Sequence, residues 1–224
     1  GERIAGTVFF AVYLLVLPFA VGPLFGLAEL LLGVTLSGDV ETLIYYYALL
    51  AVTAVIFHGF LAQTSRRLLD NLDGAVKTVL AGLVALYGLH ELAYRLIHMA
   101  VGARTNLNDI TISARIDGAP HMTLVIVVLL APFVEETLFR GLVFGNLKSR
   151  SRAAAYLVSC LLFALLHVWQ FAVVNRDLTY FLLMVQYLVP GLVLAWAYEH
   201  SGTLWASVAL HAVANALSVW TMMG

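Results

Sequence analysis

Cysteine is almost missing from this 224-residue chain, and the single Cys160 excludes an intrachain disulfide. Charge is nearly as scarce. Lys and Arg number 12 and Asp and Glu 13, which is 11% of the residues with a net charge of -1. That balance leaves no basic stripe to follow a phosphate backbone, so nucleic acid is not an expected partner. Internal repeats, low-complexity tracts and any polar segment long enough for a separate soluble domain are lacking too. Residues 1–224 are therefore expected to form one domain. The short segments of alternating hydrophobicity that mark a transmembrane barrel are also absent.

What is abundant is apolar surface. Hydrophobic residues make up 62% of the chain and the mean hydropathy is +0.94, above the range of a soluble domain of this length. Apolar runs reach about 20 residues, the length a helix rising ~1.5 Å per residue needs to cross a hydrocarbon layer of ~30 Å. The reading is an all-α polytopic bundle with spans at 7–32, 43–62, 76–100, 121–147, 153–171, 179–198 and 203–222. Pro18, Gly22, Pro23 and Gly26 are expected to kink or break the first of these, so the count is seven, give or take one. The same stretch is too long for the core of a signal peptide and is expected to stay as a span. Between the third and fourth spans, residues 102–120 alternate Ile110, Ile112, Ala114 and Ile116 with polar neighbours, a pattern suited to a short strand or hairpin outside the bilayer.

Lys and Arg outside the spans set the orientation. Arg3, Arg66, Arg67, Lys77, Lys148, Arg150 and Arg152 fall on the N-terminal side, against Arg104, Arg115 and Arg176 on the other. Cytoplasmic loops carry the basic excess, which puts the N-terminus in the cytoplasm.

The remaining two basic residues, Arg95 and Arg140, lie within the spans, each with a glutamate four positions earlier, Glu91 and Glu136. On a helix such pairs share one face. Glu91 and Arg95 are read as a structural ion pair with no catalytic role. The second pair belongs to a richer segment, Glu135-Glu136-Thr137-Leu138-Phe139-Arg140. Adjacent helical side chains diverge by about 100°, so Glu136 reaches Arg140 while Glu135 is left to face a cavity. Burial and nearby cations tune such a carboxylate to act as a general base near neutral pH.

Two further polar signatures sit in apolar helices: Phe163-x-x-x-His167 and His211-x-x-x-Asn215. An ionisable group at the bilayer centre costs about 2.5–3.5 kcal/mol on insertion scales, so several of them call for a shared site. Alone, His167 would pass for a core histidine, the reading given to His58, His90 and His98. His211 and Asn215 share a face, and an imidazole with a carboxamide can hold one oxygen as an oxyanion hole. If the three spans are neighbours, Glu135 and His167 can activate a water while His211 and Asn215 hold the oxyanion, and no Ser or Cys nucleophile is needed. Cys160 lies seven residues before His167, on nearly the same face, and is read as a small core residue rather than a nucleophile.

The ordered set Glu-Glu-x-x-x-Arg, Phe-x-x-x-His and His-x-x-x-Asn, over residues 131–215, resembles the CAAX protease and bacteriocin-processing family of intramembrane endopeptidases, to which the Rce1-like proteins belong. The resemblance implies a membrane-embedded helical glutamate protease with its catalytic core in residues 121–222. It assigns catalytic roles to Glu135, His167, His211 and Asn215 and supporting roles to Glu136 and Arg140. It implies no cofactor, a membrane-associated protein or peptide substrate with or without a lipid modification, contact with membrane lipids, and residence in a prokaryotic plasma membrane.

Zinc is the mechanistic rival, because Glu135, His167 and His211 make a reasonable three-ligand set with an open position for water. The His-Glu-x-x-His signature is not complete: His90-Glu91 begins one, but Tyr94 stands where the second histidine should fall. A non-catalytic immunity or scaffold role and a transporter are the other readings. For the last, the halves of the chain should match, and they do not. The active-site cavity is expected to open on the cytoplasmic side, where the basic loops lie.

Overall fold

The structure, a computed structural model, describes residues 1–101 and 119–223. Among these residues the fold is entirely helical, without a strand. The expected strand or hairpin at 102–120 lies outside the described residues, except for its last two positions, where a helix is already beginning.

The first apolar stretch is broken, as its prolines and glycines foretell. Helix α1 (Glu2–Leu15) and helix α2 (Leu17–Leu32) meet at Val16 with a bend of 79°. Pro18 occupies the first turn of α2, where its missing N–H costs nothing, and α2 ends on Gly33 in the left-handed conformation that glycine adopts without strain. Helix α3 (Gly38–Ile56) starts at Ser37, whose hydroxyl caps the Val40 N–H. The second span was expected to reach residue 62, but α3 stops at Phe57. The following α4 (His58–Asp70) is short and polar, carries Arg66 and Arg67, and docks on the bundle instead of crossing it. Helix α5 (Leu72–Val101) contains the apolar window Leu72–Leu89.

The next span, Pro120–Lys148, is one continuous helix, α6, with wide π turns at Val125–Leu130 and Thr137–Phe144 on either side of the α-helical Ala131–Glu136. Helix α7 (Arg152–Asn175) is capped by Ser151. A 3-10 turn, Leu178–Leu183, leads into α8 (Met184–Ser201), and α9 (Leu204–Met223) closes the chain. Among the described residues six helices are long and apolar enough to cross a membrane, and a seventh counts if the bent α1–α2 pair is one span. That agrees with the expected number.

Burial is uneven. In α6, 61% of the best apolar window is buried inside the bundle, against 11% in α3 and 22% in α5, so α6 is the central helix and the N-terminal helices present apolar flanks to lipid. α2 buries no residue at all.

The basic loops gather at one end. Glu199 near the end of α8 binds Lys148 at 3.2 Å and Arg152 at 2.9 Å, which ties the α6–α7 turn to α8. At the same end Thr64 of α4 bonds Thr203 and the Leu204 N–H at the start of α9, and Glu2 accepts from the Gly59 N–H. The start of α3, the end of α7 and the start of α8 consequently lie at the opposite end.

Candidate active site

The buried centre of the site is an ion pair. Glu136 and Arg140 are both completely buried, and Arg140 Nη1 donates to Glu136 Oε1 at 2.9 Å, the pairing their spacing predicts. Desolvating two charges is offset by meeting their remaining polar atoms, which here is done for all of the Arg140 nitrogens but the buried Nε. Arg140 Nη2 donates to the Gly191 carbonyl at 3.0 Å, and its guanidinium lies 4.4 Å from the Phe163 ring centre. A Cβ at Gly191 would stand in contact, at 3.4 Å, with Cα and Cβ of Cys160, which places α8 closely against α7 here. Cys160 is thus a buried small residue where α7 meets α8, as read from the sequence.

Glu136 does more than pair with Arg140. Its Oε1 also accepts from His211 Nδ1 at 2.8 Å, and its Oε2 accepts from the Ser207 hydroxyl. Ser207, Glu136 and Arg140 are each fully buried. Sequence reading missed Ser207, although it lies one turn before His211 on the same face of α9. It also gave Phe163 no task beyond its place in a motif. The ring of Phe163 carries Arg140 and lies 4.7 Å from the His167 ring and 6.0 Å from that of His211.

Glu135 stands apart from this network. It is 8% exposed, and its Oε2 is buried without a hydrogen-bond partner. With His167 it lines a cavity of about 470 Å³. His167 donates from Nδ1 to the Phe163 carbonyl at 2.8 Å, which in the neutral ring leaves the Nε2 lone pair free to accept. Its ring stacks on Tyr187 at 4.5 Å, so its orientation is held from two sides.

His211 and Asn215 are not among the cavity-lining residues. Asn215 Nδ2 donates to the Val127 carbonyl at 2.8 Å. Val127 lies in the first π turn of α6, and the Phe139 carbonyl in the second accepts from Ser159 at 3.0 Å. Side chains of α9 and α7 thus satisfy carbonyls where the α6 backbone widens. The structure brings Glu135, His167, His211, Glu136 and Arg140 into one neighbourhood, while Asn215, one turn beyond His211 on α9, is bonded to the α6 backbone at Val127. Among the described residues no group of three or more His, Cys, Asp or Glu side chains is placed to hold a metal ion.

The cavity walls are only partly drawn from the three motif helices. Tyr13 of α1, Pro18 and Gly22 of α2, and Glu41, Tyr45 and Tyr46 of α3 contribute as well. Glu41 lies in the first turn of α3, and Gln170 lies towards the end of α7. The cavity therefore extends from mid-depth at Glu135 towards the end of the bundle remote from the basic loops, not towards them as expected. Leu17, Pro18, Val21 and Gly22, just past the bend at Val16, form the α2 part of its wall.

Fold and site together define an integral membrane protein that keeps a connected polar cluster inside an apolar helical bundle. Residues 117–217 match the family described as Rce1-like, type II CAAX prenyl endopeptidase Rce1-like. The match takes in all three motifs and every residue of the buried network. This family implies intramembrane CAAX-type protease activity on membrane-associated substrates. Comparisons with curated proteins and with solved structures gave no match.

Proposed function

We propose that the protein is an intramembrane endopeptidase that hydrolyses a peptide bond in a membrane-associated protein or peptide, using a water activated by Glu135 and His167. The observation that carries this reading is the unpartnered Glu135 Oε2 on the same cavity as a histidine whose Nε2 is free. Two acceptors match the two hydrogens of one water. Glu135 takes a proton as the water oxygen bonds to the carbonyl carbon, and the carbonyl electron pair moves onto its oxygen. Collapse of that oxyanion breaks the C–N bond, and the proton held by Glu135 passes to the leaving amine.

His211 and Asn215 stabilise the oxyanion. With Nδ1–H of His211 turned to Glu136, the donor to the oxyanion is Nε2–H of the doubly protonated ring. Asn215 offers the Nδ2 hydrogen not used on Val127. Glu136, held by Arg140 and Ser207, positions His211. In this reading Glu135 and His167 activate the water directly, without a metal. The catalytic core is 121–222, but α1–α3 complete the cavity, which supports treating residues 1–224 as one domain. The basic end and the N-terminus are cytoplasmic, in a prokaryotic plasma membrane.

The test is cleavage of a panel of membrane-tethered peptides, prenylated and plain, by purified protein with and without a zinc chelator. Cleavage that survives chelation is the expected result. Cleavage lost on chelation and restored by zinc would overturn the metal-free mechanism, and intact peptides throughout would overturn the endopeptidase reading in favour of a binding role.

A further inference from the structure

The cavity carries two carboxylates, Glu135 and Glu41, and neither Lys nor Arg is among its lining residues. The Glu41 carboxylate has no ion-pair or hydrogen-bonding partner among the described residues. It precedes Tyr45 by one helical turn, so both present the same face of α3, and the Tyr45 and Tyr46 rings meet edge to face at 5.3 Å. A carboxylate beside aromatic faces in a partly dehydrated space is the surrounding that a substrate ammonium or guanidinium group seeks. Glu135, more than nine-tenths buried with Oε2 unpartnered, adds negative charge deeper in the same space. An apolar lipid chain would gain nothing from Glu41, and an acidic side chain would be repelled by both carboxylates.

Resting on the endopeptidase reading above, we infer that Glu41, with Tyr45, forms a specificity subsite for a Lys or Arg side chain of the substrate, close to the bond that Glu135 and His167 hydrolyse. This subsite comes from outside the segment that matches the family, 117–217. It belongs to the N-terminal half of the molecule, whose spans are otherwise turned mainly to lipid.

The simplest structural alternative is that Glu41 only complements the positive end of the α3 helix dipole. Asp39 shares that first turn without lining the cavity, which makes Asp39→Asn the control. Two readouts are needed: cleavage rates of membrane-tethered peptides that differ only by Lys, Gln or Glu at each position flanking the cut site, and binding of the same peptides to Glu135→Gln protein by fluorescence anisotropy. Lys at one position is expected to be favoured over Gln by about 10- to 100-fold, the value of one charge-assisted contact. Glu41→Gln should erase that preference, Glu41→Lys should reverse it towards Glu, and Asp39→Asn should leave it intact. Cleavage without charge preference, or a preference that survives Glu41→Gln, would overturn the subsite while sparing the protease. A Glu41-dependent binding preference without cleavage would keep the subsite and overturn the protease. Absence of both binding and cleavage would overturn the subsite as well.

Discussion

Two Glu-x-x-x-Arg pairs occur in this chain, and they have opposite fates. Glu91 and Arg95 meet at 2.7 Å with 58% and 72% of their side chains exposed, just beyond the apolar window of α5. Glu136 and Arg140 meet at 2.9 Å with no exposure at all. Helical spacing makes both pairs; neighbours decide what each pair is for. Among the described residues no further group joins Glu91 and Arg95, whereas three other helices bring Phe163, Gly191, Ser207 and His211 to the second pair. The difference teaches that the buried pair is a scaffold: it brings a histidine of α9 to a helix whose adjacent glutamate faces a cavity.

The comparison can be broken by neutralising each glutamate in turn. Glu136→Gln leaves Arg140 in a dry core with a weakened partner and should cost about 3–5 kcal/mol of stability, read as a lower denaturation midpoint in detergent, with activity lost alongside. At the other extreme, Glu91→Gln should cost no more than about 1 kcal/mol. Equal losses at the two sites would refute the contrast. Between them, His211→Ala and Asn215→Ala should each slow cleavage by about 10²- to 10³-fold while substrate still binds, as expected for loss of one oxyanion donor. A change confined to KM would instead make them binding residues. Phe163→Leu removes the ring under Arg140 and should cost about 2 kcal/mol or less, a smaller drop in the same midpoint.

Much of the buried half could be read before any coordinates, because intramembrane charge is costly and its pattern is therefore conspicuous. The spacing of Glu136 and Arg140, the divergence of Glu135 from them, and the face shared by His211 and Asn215 follow from helical periodicity alone. The break near Pro18 was legible for the same local reason. Three features were not. Ser207 is an ordinary helix residue until α9 is packed on α6. The π turns of α6 show only once Asn215 and Ser159 are seen to satisfy the Val127 and Phe139 carbonyls. Tyr13, Glu41 and Tyr45 sit in helices with no motif, and only the packing of α1 and α3 on α6 brings them to the cavity. The cavity itself lies towards the end opposite the basic loops, where charge counting had not put it.

In the proposed mechanism Glu135 acts as the base on a metal-free water while Glu136 builds the site beside it. The most direct measurement is cleavage of a membrane-tethered peptide by Glu135→Gln protein, with its denaturation midpoint taken in parallel. The amide keeps the shape of the side chain but cannot take the proton, so the account predicts a wild-type midpoint with cleavage abolished. Retained cleavage in a folded Glu135→Gln protein would contradict it.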